Sequence, residues 1–433
     1  MHIFFSGIGG AGIGPLALVA QQAGFTISGS DKQSSSYVHN LEKRGIRVII
    51  GQDGDTLKQV HEKMPIDWFV YSSALPKENP NHPELVSAQQ LGLKMSKRDE
   101  FLNYLLKAKN LKMFAIAGTH GKTTTTSMAI WLMKELGIPI SYSVGAKLNF
   151  GDMGEFDEKS EYFIYEADEY DRNFLSFDPK IAIISGVAYD HPDTYPTEQE
   201  YREAFTTFIR GVLEGDGKVY IFDEDLEKIY APDSTESIDE KLTATSQLLG
   251  SVNRKDALLV AYAVASITGQ DVVELYKKMD SFPGVSRRFE KITENVYTDY
   301  AHTPEKIEGA LQLAHEVAKD RVVVVYEGLH NTRQHFIKDK LPTLFAGVQE
   351  LYIVPSYLAR EDTSLELLTP EKLRLLIIEP LDVHATTLGS LLKEQIEKHR
   401  TNGQLVLCFS AGGAGSLDEW LRLNFQASQP NSL

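Results

Sequence analysis

Residues 112–127, with the sequence KMFAIAGTHGKTTTTS, join a short apolar run, a glycine turn and a Lys-Thr pair. The apolar run at 113–117 has the length of a buried parallel strand. The turn runs from Gly118 to Gly121, and apolar residues after Lys122 are spaced as in a helix. Glycines let backbone N–H groups approach an anion, and a helix N-terminus adds positive partial charge. The segment therefore predicts a phosphate-binding loop between a strand and a helix.

The residues of this loop are suited to binding a nucleoside triphosphate. Lys122 is expected to reach the β- and γ-phosphates, and the Thr123 hydroxyl to bind Mg²⁺. The pattern G-x-x-x-x-G-K-[ST] is incomplete, because Ile116 stands at the position of its first glycine. A glycine turn of purely structural use is the alternative, but Gly-Lys-Thr in this setting favours nucleotide phosphate.

A second glycine turn follows the first predicted strand, at residues 2–6. Gly7, Gly9 and Gly12 satisfy G-x-G-x-x-G, and the next predicted strand ends at Ser30-Asp31. An acidic residue roughly 20 positions after the glycines is where dinucleotide folds bind a ribose. The pattern predicts a nucleotide, which need not be NAD; the alternative is a tight turn with no ligand.

Acidic side chains cluster after a strand predicted at 162–165. Glu166, Asp168, Glu169 and Asp171 place four carboxylates within six residues. Such a group is repulsive unless solvent or a cation neutralises it. A strand at 180–185 leads to Asp190 and His191, and if the two strands are neighbours His191 lies beside Glu166. The pattern then predicts a metal site; the alternative is a solvated acidic loop.

Length and alternation of strands and helices predict an α/β chain of three doubly wound domains. The predicted boundaries are 1–107 for a Rossmann-like domain, 108–285 for the central phosphate-loop domain and 286–433 for a second Rossmann-like domain. Strands in the third are expected at 321–326, 350–354 and 405–409, the last followed by a glycine turn at 410–416. At the junction, Arg287 and Arg288 either pair with surface acids or reach a transferring phosphate.

The composition narrows the class of protein. The net charge of −16 argues against nonspecific nucleic-acid binding. The single cysteine, Cys408, rules out an intramolecular disulfide and is expected to be buried. No apolar stretch reaches the length of a membrane span, and the chain opens in a strand rather than a signal peptide. We expect a soluble cytoplasmic enzyme with no membrane partner, as a monomer or homodimer.

The chain resembles the Mur ligases of peptidoglycan synthesis along nearly its whole length. The resemblance rests on eight segments: GIGGAGIGPLA at 7–17, GSD at 29–31, SSA at 72–74, AGTHGKTTTTS at 117–127, EADEYDRNFL at 166–175, DHPD at 190–193, GVSRRFE at 284–290 and DYAHTP at 299–304. That family uses the shorter AGTHGKTT loop, which accounts for Ile116. The resemblance implies an N-terminal domain for a uridine nucleotide, a central ATPase domain and a C-terminal domain for the incoming amine.

The resemblance also implies the chemistry and the residues that perform it. ATP would activate the muramoyl carboxylate of UDP-N-acetylmuramate as an acyl phosphate, which an amine then attacks. The implied catalytic residues are Lys122, Glu166, His191 and Arg288, and the implied Mg²⁺ ligands are Thr123, Glu166 and His191. The implied ATP-binding residues are Gly118, Thr119, His120, Gly121, Lys122, Thr123, Thr124, Asn253, Arg287 and Asp299. The implied sugar-nucleotide residues are Gly7, Gly9, Gly10, Gly12, Ser30, Asp31, Ser72 and Ser73, and His330 and Arg333 would bind the acceptor.

The sequence resembles two branches of the family, which differ in the acceptor that they use. One adds L-alanine, and the other adds the peptide L-alanyl-γ-D-glutamyl-diaminopimelate. The short 166–175 region and Arg333 favour L-alanine, whereas Glu327, Asn331 and Thr332 look more like the peptide-adding branch. Val252 and Asp256 depart from the family's adenine-side motif. Two other classes remain open: a dinucleotide-dependent oxidoreductase and a non-catalytic nucleotide-binding regulator.

Overall fold

The computed structural model describes residues 1–191, 194–227, 229, 236–238, 240–358, 361–362, 364–380, 382–410 and 415–426. The chain divides into two compact units, residues 1–248 with 253–283 and residues 249–252 with 284–433. The first unit holds two sheets and the second unit holds one, each mostly parallel. The prediction of three α/β domains is therefore confirmed, while the boundaries 1–107, 108–285 and 286–433 stay predictions. Positions 192–193 of the DHPD segment and 411–414 of the last glycine turn lie outside the described residues.

The first sheet has five parallel strands in the order β3-β2-β1-β4-β5. Its strands are β1 (His2–Ser6), β2 (Thr26–Asp31), β3 (Arg47–Ile50), β4 (Trp68–Tyr71) and β5 (Lys94–Lys97). Its helices are α1 (Gly14–Gln22), α2 (Ser36–Lys43), α3 (Gly54–Lys63), α4 (Ala74–Glu78), α5 (Pro83–Gln90) and α6 (Arg98–Ala108). The order reverses at β1, so the glycine turn after β1 opens at the crevice where α/β sheets bind ligands.

The middle sheet has the order β12-β11-β10-β6-β9-β7-β8, and only the β7–β8 pair is antiparallel. Its strands are β6 (Lys112–Ala117), β7 (Ile140–Ser143), β8 (Gly154–Glu155), β9 (Tyr162–Glu166), β10 (Ile181–Ile184), β11 (Lys218–Ile221) and β12 (Glu236–Ser237). Its helices are α7 (Lys122–Glu135), α8 (Glu198–Glu214), α9 (Asp223–Leu226), α10 (Ser251–Thr268) and α11 (Val272–Lys278).

Strand β6 is the central element of this unit. Met113, Ala115 and Ala117 pack into one hydrophobic core, and Phe114 and Ile116 pack into another on the opposite face. Side chains that alternate across a strand explain this division, and each large one buried contributes about 1.5–3 kcal/mol. The phosphate loop is therefore carried by a strand that both cores hold in place.

The third sheet has the order β13-β14-β18-β15-β16-β17, parallel except for the β13–β14 hairpin. Its strands are β13 (Glu290–Thr293), β14 (Val296–Asp299), β15 (Val322–Leu329), β16 (Glu350–Tyr357), β17 (Val383–Ala385) and β18 (Leu405–Phe409). Its helices are α12 (Pro304–Ala318), α13 (Asn331–Phe336), α14 (Pro370–Leu376), α15 (Ser390–Thr401) and α16 (Leu417–Phe425). Cys408 is buried in β18, as expected. Among the described helices, none is both long and apolar enough for a membrane crossing.

Candidate active site

The phosphate loop turns sharply between β6 and α7. Gly118 has a φ of 133°, and Gly121, the residue that caps α7, has a φ of 77°. A Cβ on Gly118 would lie 2.5 Å from the Ser185 hydroxyl oxygen, and one on Gly121 would lie 2.5 Å from a carboxyl oxygen of Asp256. Only glycine avoids both the backbone strain and these clashes. The loop backbone is therefore packed directly against the end of β10 and against α10.

Lys122, the first residue of α7, is held by two acceptors. Its Nζ donates to the Gly118 carbonyl at 2.7 Å and to the Glu169 carboxylate at 2.6 Å. Burial alone would raise the pKa of Glu169, but the charge of Lys122 and the contact with His191 bring it down to about 2. The pKa of Lys122 rises despite its burial, because Glu169 and Asp168 stabilise the ammonium. Both partners are charged at neutral pH, so a fixed ammonium lies at the loop.

Thr123, the residue after Lys122 in α7, contacts Glu166 at the end of β9. The Thr123 hydroxyl donates to Glu166 Oε1 at 3.0 Å. A hydroxyl and a carboxylate are the hard oxygen ligands that Mg²⁺ prefers, so this pair fits the predicted ion. Sequence reasoning placed these two residues at one site, and the structure brings them into contact.

His191 lies elsewhere in the acidic cluster than its predicted position. Strands β9 and β10 flank β6 and are not neighbours, so the expectation that adjacent strands bring His191 beside Glu166 is wrong. His191 Nε2 instead lies 3.4 Å from Glu169 Oε1 and 3.9 Å from Asp190 Oδ2. Ligand atoms of Asp168, Glu169 and His191 all lie within 4.8 Å of one another. This second set contains a metal-competent histidine and carboxylates, and the assignment of His191 as a ligand stays a prediction.

The remaining predicted ATP residues of this unit surround the same loop. The Thr119 side chain is buried, with its hydroxyl donating to the Ala188 carbonyl, so only its backbone faces the loop. The His120 carbonyl accepts from the Ser185 hydroxyl. Thr124 is half-buried in the first turn of α7. Asn253 lies in α10, one turn before Asp256, the residue beneath Gly121.

The first glycine turn is organised by β2. The backbone N–H groups of Gly7 and Ile8 both donate to the Ser30 carbonyl, at 2.9 and 3.0 Å. The Gly9 N–H donates to Asp31 Oδ2 at 2.8 Å, and the Gly10 N–H donates to the Gly7 carbonyl at 3.0 Å. Ser30 and Asp31 therefore fix the shape of the turn. Helix α7 begins directly after the last glycine of its loop, whereas helix α1 begins two residues after Gly12, at Gly14.

Beneath this turn lies a buried carboxyl group that sequence reasoning missed. Glu84 of α5 accepts a hydrogen bond of 2.5 Å from the Ser6 hydroxyl at the end of β1. Burial raises the pKa of Glu84 to about 7, against the lowering effect of the Ser6 bond. At the next strand end, the Ser72 N–H donates to the Ser6 carbonyl at 3.2 Å, and Ser73 precedes α4.

Arg98, the first residue of α6, approaches both the first glycine turn and the acidic cluster. Its guanidinium fills the space above Gly12, where a Cβ would lie 1.7 Å from Nη1. Its Nη2 lies 4.0 Å from Asp168 Oδ2, and the guanidinium makes no hydrogen bond to another described residue. The preceding Lys97 donates to Asp171 at 2.9 Å. A largely desolvated guanidinium with unused donors thus lies between the first glycine turn and the acidic cluster.

In the second unit, Asp299 organises the loop that carries the predicted arginine pair. Its carboxylate accepts from the Phe289 and Ala301 N–H groups, both at 2.7 Å. Burial raises the pKa of Asp299, opposed by the charge of Arg288. The guanidiniums of Arg287 and Arg288 lie 5.1 and 5.5 Å from the centre of the Tyr300 ring. Asp299 therefore acts on this loop through backbone contacts, and its role towards a nucleotide stays a prediction.

The predicted acceptor residues lie at the end of β15. The Arg333 guanidinium forms no hydrogen bond or ion pair with another described residue. Its charge, with those of Lys306 and Arg288, acts on half-buried His302, whose pKa is lowered to about 3 by desolvation and by these cations. His330 Nδ1 lies 3.5 Å from Glu361 Oε1. The region around His302 is thus positively charged, with the Arg333 guanidinium able to bind an anion.

The three residues that resemble the peptide-adding branch serve the fold. Glu327 is buried and accepts from the Ser410 hydroxyl and the Leu417 N–H, at 2.7 and 2.9 Å. Asn331 accepts from the Leu368 N–H at 2.8 Å, and the Thr332 N–H donates to Glu361 at 2.9 Å. Their side chains hold strand ends and loops, so their presence says little about an acceptor.

Comparison with known proteins decides the family. The models for the Mur ligase catalytic domain, the Mur ligase middle domain and the Mur ligase glutamate ligase domain match residues 2–110, 116–244 and 287–412. UDP-N-acetylmuramate–L-alanine ligase of Clostridium perfringens is 30% identical over 83% of this chain and 84% of its own. The chain belongs to the Mur ligase family. It is an ATP-dependent ligase that forms amide bonds in peptidoglycan synthesis.

Two further relatives of this Mur ligase cover almost all of it. UDP-N-acetylmuramate–L-alanine ligase of Acetivibrio thermocellus is 28% identical over 96% of this chain and 95% of its own. A solved structure of UDP-N-acetylmuramate–alanine ligase from Thermotoga maritima superposes with a TM-score of 0.75 at 24% identity, with 98% of both chains covered. The latter likeness shows the shared fold.

Sequence reasoning missed four groups of this Mur ligase: Glu169 as the partner of Lys122, Arg98, Glu84 and Asp256. A signal existed for Arg98, because Lys97-Arg98 is a basic pair that opens a helix after a strand. None existed for Glu84, since a single glutamate in a helix gives no sign of burial. Asp256 was noted only as a departure from the family, and the structure shows its buried carboxyl against Gly121.

Proposed function

We propose that this Mur ligase joins L-alanine to the muramoyl carboxylate of UDP-N-acetylmuramate, with ATP cleaved to ADP and phosphate. The observation that carries the ligase chemistry is the Lys122 ammonium, fixed between Gly118 and buried Glu169 at the N-terminus of α7. The observation that carries the choice of acceptor is Arg333, whose guanidinium has no partner among the described residues.

The first step transfers the γ-phosphoryl group of ATP to the muramoyl carboxylate, giving an acyl phosphate and ADP. Charge then spreads over the phosphoryl oxygens, and positioning with electrostatic stabilisation supplies most of the catalysis. Lys122 neutralises this charge, and the N–H groups at the start of α7 stabilise it further. The Glu169 carboxylate holds the ammonium in place without removing its charge, because both stay ionised.

Mg²⁺ is the proposed metal. Thr123 and Glu166 would hold one ion, since their oxygens already lie 3.0 Å apart, and His191 would bind a second. When bound, Mg²⁺ would neutralise part of the negative charge of the reacting phosphate and carboxylate groups. Arg287, Arg288, Asp299 and Asn253 complete the proposed nucleotide-binding set.

The sugar nucleotide is proposed to bind at the turn of Gly7, Gly9, Gly10 and Gly12, with Ser72 and Ser73 at the neighbouring strand end. A diphosphate there would lie on the switch point of the first sheet. Arg98 would be its cation, because its guanidinium covers Gly12 and keeps its donors free. Through Asp168, the same side chain would orient the acidic cluster when substrate is bound.

The acceptor amine attacks the carbonyl carbon of the acyl phosphate and forms a tetrahedral intermediate. The intermediate then loses phosphate and the amine proton to give the amide. A free amino acid carries its carboxylate two bonds from the attacking nitrogen, so its pocket needs a nearby cation. Arg333 can bind a carboxylate through two parallel hydrogen bonds. The names of the two relatives at 28% and 30% identity support L-alanine as well.

A phosphate-release assay tests this proposal. Enzyme, Mg²⁺-ATP and UDP-N-acetylmuramate are supplied with L-alanine, glycine, L-serine or L-alanyl-γ-D-glutamyl-diaminopimelate. We expect release to depend on the sugar nucleotide and to be greatest with L-alanine. Release with the tripeptide alone would overturn the choice of acceptor but retain the ligase, and release with none would overturn both.

The Arg333→Lys variant sharpens the result. A lysine keeps the charge but loses the bidentate fork, so KM for L-alanine should rise about tenfold while KM for ATP is unchanged. Arg374→Lys, on α14 of the same unit, is the matched control and should change neither.

A further inference from the structure

The amino edge of the third sheet carries a cluster that the ligase chemistry does not use. In the parallel β16–β17 pair, Tyr352 lies opposite His384 and Leu351 opposite Val383. Since side chains alternate along a strand, Glu350 and Tyr352 share a face with Asp382 and His384. These residues begin their strands, whereas Asp299 and Arg333 lie where strands end, so the cluster occupies the opposite edge of the sheet.

Three ligand atoms converge in this cluster. His384 Nε2 lies 2.9 Å from Asp382 Oδ1 and 3.7 Å from Glu350 Oε2, and all three atoms lie within 4.8 Å of one another. Ligands about 2.1 Å from one ion are separated by about 3.0 Å in an octahedron and about 3.4 Å in a tetrahedron. The observed distances lie on either side of these values.

A simple ion pair accounts poorly for His384. Its Nε2 has no contact with solvent and no hydrogen bond to any described residue, although a carboxylate oxygen lies 2.9 Å away. An imidazolium paired with that carboxylate would point its N–H along the contact. A lone pair directed at a shared ion needs no such alignment. Two neighbouring carboxylates also repel each other unless a cation lies between them.

The surrounding residues fix two of the three groups. The Tyr352 hydroxyl donates to Glu350 Oε2 at 2.8 Å, and its ring stacks on His384 with centres 4.9 Å apart. Buried His399 of α15 contacts the Tyr352 hydroxyl at 3.0 Å and Gln404 at 2.8 Å. Hydrogen-bonded outer residues of this kind hold the ligands of metal sites in position.

We propose that Glu350, Asp382 and His384 bind one divalent transition-metal ion of the Zn²⁺ class at this edge. One imidazole nitrogen and two carboxylate oxygens favour such an ion over Mg²⁺ or Ca²⁺, which prefer oxygen alone. The ion joins β17, a strand of three residues at the sheet edge, to β16. The ion would stabilise the second unit, and this role does not depend on which acceptor the enzyme uses.

Metal binding to the full, tag-free chain tests this site. The chain is stripped with EDTA, dialysed into excess Mg²⁺ and titrated with Zn²⁺ by calorimetry, with Co²⁺ absorption as a second probe. Because the Asp168, Glu169 and His191 set can also take Zn²⁺, the comparison uses a His191→Ala background. In that background we expect one Zn²⁺ site, whose affinity falls at least tenfold on adding either His384→Ala or Glu350→Gln.

His315→Ala is the matched control, because His315 is a half-buried histidine of the same unit whose Nδ1 contacts a backbone carbonyl. It should leave the site unchanged. Zn²⁺ should also raise the melting temperature reported by Trp420 in the His191→Ala protein but not after His384→Ala. Equal Zn²⁺ affinity in the two proteins, with unfolding in EDTA unchanged by the substitution, would overturn the proposal.

Discussion

Two buried glutamates, one near each glycine loop of the first unit, have pKa values shifted in opposite directions. Glu84 is 1% exposed and Glu169 is 0% exposed. Burial raises the pKa of Glu84 to about 7, whereas the pKa of Glu169 falls to about 2 in spite of burial. The difference is Lys122, whose ammonium lies 2.6 Å from Glu169. Similar burial therefore gives a carboxyl group that titrates near pH 7 at one loop and a fixed ion pair at the other.

The two loops also differ in where their cation comes from. The phosphate loop carries its own, since Lys122 follows Gly121 directly. The first loop is supplied by Arg98 from α6, which covers Gly12 and leaves Glu84 without a positive partner. We therefore expect loss of the phosphate-loop cation to have a larger effect than loss of Arg98. The four predictions below test that contrast.

Lys122→Ala should have the largest effect. Loss of a charge aimed at the transferring phosphoryl group should reduce turnover about 10³-fold, and Glu169 would be left buried without its cation. Steady-state phosphate release measures the first effect and denaturant unfolding the second. Adding Glu169→Gln should recover stability without activity. Lys134→Ala, on the same helix, removes an ion pair with Glu155 away from the loop and should keep wild-type turnover. Turnover of Lys122→Ala within a few-fold of wild type would refute the role of Lys122.

Glu84→Gln should change the pH dependence of stability. In the folded state the pKa of Glu84 is about 7, above the value of 4.5 for the free side chain. The folded state therefore holds the proton between pH 4.5 and 7, and its stability from this group is complete below pH 4.5 and lost as pH rises through 7. The glutamine variant has no proton to lose at this position. Relative to wild type, its free energy of unfolding should therefore rise by about 3 kcal/mol from low to high pH.

Unfolding of the first unit can be followed in a Trp420→Phe background, where Trp68 and Trp131 are the remaining tryptophans. Urea titrations at pH 5 and 8 give the difference in unfolding free energy. Parallel pH curves for the variant and the parent protein would show that Glu84 is ionised in both states.

Gly9→Val should separate the two ligands. A Cβ at this position would lie 2.9 Å from Asp31 Oδ2, the group that fixes the turn. We expect affinity for UDP-N-acetylmuramate to fall about 100-fold, equivalent to about 2.7 kcal/mol, while ATP affinity is retained. Calorimetry with each ligand makes the measurement, and Gly211→Ala on α8 is the neutral control. Loss of ATP binding with the sugar nucleotide retained would reverse the assignment of the loops.

Arg98→Met should have the smallest effect of the four substitutions, a change in the apparent affinity for the sugar nucleotide. Removing one charged donor set should raise KM for UDP-N-acetylmuramate about tenfold, and Arg98→Lys should recover part of it. KM for ATP should stay within twofold. Arg202→Met removes an exposed helix pair and should cost almost nothing. An unchanged KM in Arg98→Met would show that the cation of the first loop lies elsewhere.

Much of the fold could be predicted because apolar runs and glycine turns mark strand ends. The strand predicted at 113–117 corresponds to β6, and that at 405–409 to β18. β5 was missed because KMSK is polar, and its pairing with β4 depends on tertiary packing. The order of strands was also beyond the sequence. Nothing in residues 162–185 shows that β6 runs between β9 and β10, and the expected neighbour of His191 was wrong for that reason.

At the candidate site, local motifs were predictable and distant partners were not. Gly121, Lys122 and Thr123 are adjacent in sequence, so their spacing alone indicates a phosphate loop. Glu169 was seen as one member of an acidic cluster, but its contact with Lys122 depends on how the segment after β9 turns back. Glu84 and Arg98 depend on helices that follow other strands, and their burial arises only when the sheet is assembled.

The burial of Cys408 has a practical consequence. The only thiol of the chain is fully enclosed beside β14 and β15, and burial raises its pKa far above the usual range. Reagents that require an exposed thiolate would leave the native protein unlabelled. A cysteine introduced on the surface beside one glycine loop would therefore take a fluorophore alone. Two such proteins, one for each loop, would report the arrival of ATP and of the sugar nucleotide as separate optical signals.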